Sequence, residues 1–279
     1  MLAVGLAFTS SLCWGLADFL GGLQSRKRPL VTVLLIAQVA AVALGLVFVI
    51  ASGDPFPDLG PAALAVGAGV AGCAALAAFY RGLAIGTMSI VAPVSATGAA
   101  VPVLVGVASG ERPGAVQVAG IVVAMVGIVL AAREPAGAET RPVRASLGLA
   151  LLAALGFGSF FVLLDGATEG AGAPWALLLV RVGEVALLGV LAAAMRPRMP
   201  AGARDASPLL IIGALDFLAT ALFALATTEG LLSVVAVVGS LYPAVTVVLA
   251  RVVLAERVSR WQELGVVVTL LSVMAISAG

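Results

Sequence analysis

Histidine is absent from the 279 residues. That excludes metal centres built on imidazole and any acid–base or nucleophilic chemistry running through a His side chain. Charge is also scarce: Asp, Glu, Lys and Arg make up 10% of the chain, against roughly a quarter in a soluble domain. A formal net charge of +1 offers no basic surface for nucleic acid and no strongly charged partner face. The two cysteines, Cys13 and Cys73, lie in apolar runs, where a free thiol behaves as a small hydrophobe. There is no GxxxxGK[ST] run, and no polar stretch is long enough to hold an ATPase domain. Neither a cofactor nor a metal is expected.

What remains is apolar. Hydrophobic residues are 62% of the chain and the mean hydropathy is +1.20, a surface that only lipid would solvate. Ten apolar runs are predicted to span a bilayer, at 2–23, 30–52, 61–84, 88–108, 114–132, 146–168, 174–195, 207–229, 233–253 and 260–278. Each approaches the roughly 20 residues a crossing helix needs, and a helix satisfies its own backbone in lipid. No run alternates apolar and polar residues in the manner of a barrel strand. The first run is longer than a signal-peptide core and has no basic segment before it, so it reads as a spanning helix. Small residues such as Gly67, Ala68, Ala71 and Gly72, or Gly120 and Ala124, recur at the spacing that lets helix backbones approach.

Short polar breaks separate the runs. The odd-numbered ones hold Arg26–Arg28, Arg133, Arg141, Arg144, Arg196, Arg198, Arg204, Arg257 and Arg260, whereas the even-numbered ones hold Arg112 alone beside Asp54, Asp58, Glu169 and Glu229. Basic loops face the cytoplasm, so the odd loops are expected inside and both termini outside. Trp175 and Trp261 begin helices, where an interfacial aromatic belt would place them.

The two halves look alike when slid past each other by about 145 positions. Gly110-Glu111-Arg112-Pro113 lies over Ala255-Glu256-Arg257-Val258, Gly120 over Gly265, Val94-Ser95 over Gly239-Ser240, and Trp14-Gly15 roughly over Phe157-Gly158. The expected units are 1–132 and 146–279, joined by 133–145. Five helices per unit is an odd number, so the second enters the membrane from the opposite side. The expected fold is therefore all-α, ten transmembrane helices as two inverted five-helix repeats. Transporters built this way bind substrate near the midplane where the halves meet.

Specific residues carry a family likeness. They are Trp14-Gly15, Tyr80-Arg81-Gly82-Leu83-Ala84 leading into Ser89-Ile90-Val91-Ala92-Pro93, and Gly110-Glu111-Arg112. In the second half they are Leu241-Tyr242-Pro243, Leu254-Ala255-Glu256-Arg257 and Gly265. In order and at these helix positions they resemble the EamA-type ten-helix proteins of the drug/metabolite transporter superfamily, across nearly the whole chain. The resemblance implies a multi-pass protein of the bacterial cell (inner) membrane that exports or exchanges a small metabolite, often an amino acid, through a cavity between the halves. Many relatives carry a basic N-terminus, which this chain lacks.

An ionisable residue inside a span is costly and marks function by default. Arg181 and Glu184 stand three apart in the seventh span, close enough to share a face, and Asp216 stands at comparable depth in the eighth. Two readings stand: a neutralising structural network, or a substrate site in which Arg181 meets a carboxylate and an acidic group takes an amine or a coupling proton. Asp18, the single charge in the first span, either faces the basic loop or joins that network. Arg181 matches the family pattern, whereas Glu184 and Asp216 match none of its motifs. Trp14, Tyr80, Ser95, Thr97, Ser159, Ser240 and Tyr242 are candidates to line the cavity, with Ser95 over Ser240 and Thr97 over Tyr242 in the repeat. Each could equally bond a neighbouring helix. Glu111 and Glu256 sit at turns and read as capping groups, and Arg81 as an interfacial cation. Pro93, Pro102 and Pro243 would kink their helices.

The expected function is secondary transport of a small molecule, with proton or counter-substrate coupling open. The alternatives are a multidrug exporter, a membrane-embedded enzyme acting on a lipid or isoprenoid phosphate held by Arg26–Arg28 and Arg196–Arg204, or a non-transporting scaffold.

Overall fold

A computed structural model describes residues 1–25, 27–85, 94, 95, 97–131, 143–200, 202–254 and, near the end of the chain, 260, 261, 264, 265, 267, 268, 271, 272 and 275. Among these residues the chain is all helical, with no strand. The elements are α1 (Leu2–Ser25), α2 (Leu30–Ser52), α3 (Leu59–Ile85), a single 3-10 turn (Thr97–Ala99), α4 (Ala100–Ala108), α5 (Ala115–Ala131), α6 (Val143–Met195), α7 (Ala203–Glu229), α8 (Leu232–Gly239) and α9 (Tyr242–Leu254).

Five stretches are long and apolar enough to cross a membrane: Leu2–Ser25, Leu30–Ser52, Leu59–Phe79, Gly148–Met195 and Ala203–Glu229. The fourth has 48 residues, about 70 Å of helix at ~1.5 Å per residue, twice what a hydrocarbon core of roughly 30 Å requires. It folds as two legs. Gly172 (φ 71°, ψ 153°) leaves the helical region just before Pro174, the proline having no N–H to donate and a ring that clashes with the preceding turn. The sequence predicts a loop from Gly170 to Pro174; the break is instead one glycine wide.

Two predicted spans are discontinuous. The run at 233–253 is divided into α8 and α9 by a turn at Ser240 and Leu241, and in the run at 88–108 the Thr97–Ala99 turn precedes α4. Pro102 then falls in the first turn of α4, where a missing N–H costs nothing. The expected kink at Pro102 thus lies where a 3-10 turn passes into α4.

The repeat is visible in the packing. Gly15 of α1 lies against the Tyr242 carbonyl and Val245 of α9, and Gly158 of α6 lies against the Gly98 carbonyl and Val101 of α4. Gly69 of α3 sits on the Val180 carbonyl, and Gly213 of α7 on the Ala37 carbonyl. In each pair the second contact repeats the first 143 or 144 positions along, with the halves exchanged. The repeat is also inverted. Thr32 Oγ1 donates to the Arg198 carbonyl at 2.9 Å, at the end of the bundle holding the odd turns. Its counterpart, Trp175 Nε1 to the Asp54 carbonyl at 3.0 Å, lies at the end holding the even turns. Small residues at these crossings let backbone meet backbone, the source of helix association where lipid supplies no hydrophobic drive.

Candidate functional site

The legs of α6, with α1, α2, α3, α7 and α9, enclose a cavity of about 80 Å³. Most of its wall is apolar or aromatic. Trp14 is its hub, with ring centroids 6.3 Å from Phe160, 5.8 Å from Phe161 and 5.7 Å from Phe223. Phe161 stacks on Phe223 at 4.6 Å, and Phe157 meets Tyr242 edge-on at 6.5 Å.

Into this wall the helices set one basic and three acidic side chains: Arg181, Asp18, Glu184 and Asp216. Arg181, on the second leg of α6, is 1% exposed. Its Nη1 donates to Glu184 Oε2 at 2.7 Å, to Asp216 Oδ2 at 2.6 Å and to Gln38 Oε1 at 3.1 Å. Its Nη2 donates to Thr220 Oγ1, whose hydroxyl in turn donates to the Asp216 carbonyl at 2.9 Å. Nε is buried with no partner among the described residues. Asp216 collects two further donors, Trp14 Nε1 at 3.1 Å on Oδ1 and Gln38 Nε2 at 3.2 Å on Oδ2. Two carboxylates therefore share one guanidinium in an apolar setting. Such an arrangement holds only because every charge has partners, since an isolated buried ion costs several kcal/mol.

The i, i+3 spacing of Arg181 and Glu184 puts both on one helix face, as the sequence indicates, and the depth match brings Asp216 to them. Trp14, Asp18 and Tyr242 line the same cavity. The serines do not join them. Ser95 Oγ donates to the Ala150 carbonyl at 3.4 Å and Ser240 Oγ to the Ala236 carbonyl at 2.7 Å. Ser159 is half-buried on α6, away from the lining. In the packing here the halves correspond at 144 positions rather than 145, so Ser95 and Ser240 are not equivalent positions. Thr97 Oγ1 likewise donates to the Val94 carbonyl at 2.6 Å, and Arg81 is exposed. The side chains of Tyr80 and Pro243, together with the Ser89–Pro93 run, Glu256 and Arg257, lie outside the described residues. Sequence reasoning missed Phe157, Phe160, Phe161 and Thr220 as lining groups.

A model of the EamA-like transporter family matches the chain twice, over residues 1–133 and 144–278. The chain belongs to the EamA-like transporter family. Its members are transporters rather than enzymes, so this EamA-like chain is a membrane transporter of the drug/metabolite type, built from two inverted repeats. It is similar to a solved crystal structure at 17% identity and a TM-score of 0.79, covering 99% of this chain and 98% of the other; at that identity the likeness concerns the fold. No curated protein matches it.

Proposed function

We propose that this EamA-like protein is a secondary transporter of the cell membrane that exports or exchanges a small zwitterionic metabolite, an amino acid being the leading case, by alternating access. The reading takes the fold as ten crossings in two five-helix units, 1–132 and 146–279, with 133–145 between them and the basic odd turns in the cytoplasm. One observation carries it: the Arg181–Asp216 pair stands on the cavity wall where the two repeats meet. A zwitterion presents the same two charges. Its ammonium would replace Arg181 at Asp216, and the guanidinium released would face the ligand carboxylate. Proton or counter-substrate coupling is part of the proposal.

The test is counterflow in liposomes holding only this protein, with a panel of labelled amino acids and lipophilic amines. Exchange of at least one amino acid is expected. Flux that survives collapse of the pH gradient would remove proton coupling. Silence from every amino acid and amine would remove transport of this class. A second reading, export of amphipathic organic cations, is favoured by the two-to-one ratio of Glu184 and Asp216 to Arg181 beside aromatic faces that attract cations; it predicts exchange of the amines alone. An enzyme acting on an isoprenoid phosphate is not favoured, because Arg28 is bound to Asp205 and acids outnumber bases three to one among the charges of the cavity wall.

A further inference from the structure

The α4–α5 turn is built to deliver one carboxylate to the other repeat. Gly110 takes φ +102°, a conformation that a side chain would strain. The Glu111 amide folds back on the Gly106 carbonyl at 2.9 Å. The Glu111 carboxylate then lies against Gly106, in space that any Cβ there would occupy. From that position Oε1 accepts from the Leu232 amide at 2.6 Å and Oε2 from the Ser233 amide at 3.1 Å. These are orphan donors of the first turn of α8, whose own N-cap residue, Leu231, supplies no side-chain bond. A cap normally comes from the adjacent residue. This one comes from 121 positions away, across the boundary between the halves.

The element it holds starts at the even-turn end of the bundle. Every residue of α8 from Leu232 to Gly239 is buried. Gly230, just before it, lies against Ala3 at the start of α1, and Gly239, at its far end, lies against the ring of Phe223, which contacts Trp14 of the cavity wall. This short helix is thus pinned at one end by a charge-assisted pair and touches the cavity's aromatic hub at the other. Among the described residues no cation contributes to the pin, and Asp165 of α6 is a like charge within electrostatic reach. The pin therefore depends on two amides and the positive end of the helix dipole.

We propose that Glu111 is a positioning residue of the transport cycle, a latch that holds α8 against the first repeat and keeps the even-turn face closed until it is released. The inference rests on the transporter reading, but its test does not need a substrate. In a background of Cys13→Ala and Cys73→Ala, Ser233→Cys is a one-atom reporter at a position that is fully buried, and Val180→Cys reports on the equally buried α3–α6 contact. The full-length protein in lipid nanodiscs, open to reagent on both faces, is labelled with a membrane-impermeant maleimide. Glu111→Ala removes both charge-assisted bonds and is expected to speed labelling at Ser233→Cys about tenfold or more, the population shift that loss of even one of them would give. Labelling at Val180→Cys should stay unchanged. Glu111→Gln, which keeps one acceptor oxygen, should fall between. Unchanged labelling at Ser233→Cys overturns the latch. Equal acceleration at both reporters also overturns it, because Glu111 would then hold the fold rather than gate it. Failure of counterflow in the unaltered protein removes the transport proposal while leaving these rates readable.

Discussion

Arg181 and Gln38 hold the same position in the two repeats, 143 residues apart, and they are hydrogen-bonded to each other at 3.1 Å. The pseudo-twofold relation between the halves therefore runs through this contact. Its two sides differ in chemistry: the first repeat supplies a neutral amide, the second a cation with its own carboxylate three residues on. Gln38 also donates to Asp216 at 3.2 Å, so one amide bridges the acid and the base. A contact built this way has a charged side and a neutral side although its backbone is nearly symmetric.

Removing the cation should expose that dependence. Arg181→Met leaves Glu184 and Asp216 without their shared partner and is expected to cost about 3–5 kcal/mol. The check is the denaturation midpoint of the detergent-solubilised protein. Adding Glu184→Gln and Asp216→Asn in the same chain should restore more than half of the loss. If the triple variant is no more stable than Arg181→Met alone, the acids do not act through the arginine.

The acids themselves should be needed for flux rather than folding. Glu184→Gln and Asp216→Asn keep size and hydrogen-bonding shape while removing charge, so each is expected to fold and to abolish counterflow. Lost expression with residual flux would mark the group as structural.

Trp14 separates packing from recognition. Trp14→Phe keeps a ring against Phe161 and Phe223 but withdraws the Nε1 donor from Asp216 Oδ1. A hydrogen bond to a charged group contributes roughly 1.5–3 kcal/mol, so Trp14→Phe should lower stability by no more than that while counterflow drops at least about tenfold. Trp14→Ala should instead cost about 3–5 kcal/mol of stability through the cavity it leaves. Equal flux for the original and Trp14→Phe would show that the indole N–H takes no part.

The charged half of the site was legible because charges are rare here: Arg181, Glu184 and Asp216 stand alone in apolar runs, and helical spacing brings them together. The aromatic half was not. Phe157, Phe160 and Phe161 sit among residues as apolar as they are, and because lipid is as apolar as the bundle interior a Phe does not reveal which way it faces. The serine pairs failed for a different reason. The pairing of Ser95 with Ser240 assumes an offset of 145, whereas the packing there repeats at 144, and both hydroxyls donate to backbone carbonyls. The two repeats were legible in motifs recurring at a fixed offset, whereas the breaks at Gly172 and Ser240 depend on single residues within apolar runs.

The symmetry of the packing gives the sharpest test of the repeat. Gly69 and Gly213 are equivalent positions, and at each an added Cβ would meet a backbone carbonyl, that of Val180 in one case and Ala37 in the other. A carbonyl cannot rotate away as a side-chain tip can, so the helices must separate. Gly69→Ala and Gly213→Ala should each destabilise the protein by about 1–3 kcal/mol, and by similar amounts. Gly67, two residues from Gly69, has only Leu163 Cδ1 nearby, at 3.9 Å. There the gain in helix propensity of roughly 0.5–1 kcal/mol should prevail, leaving Gly67→Ala neutral or stabilising. Thermal midpoints of the three variants in one detergent decide it. A harmless Gly213→Ala beside a damaging Gly69→Ala would break the equivalence of the two crossings.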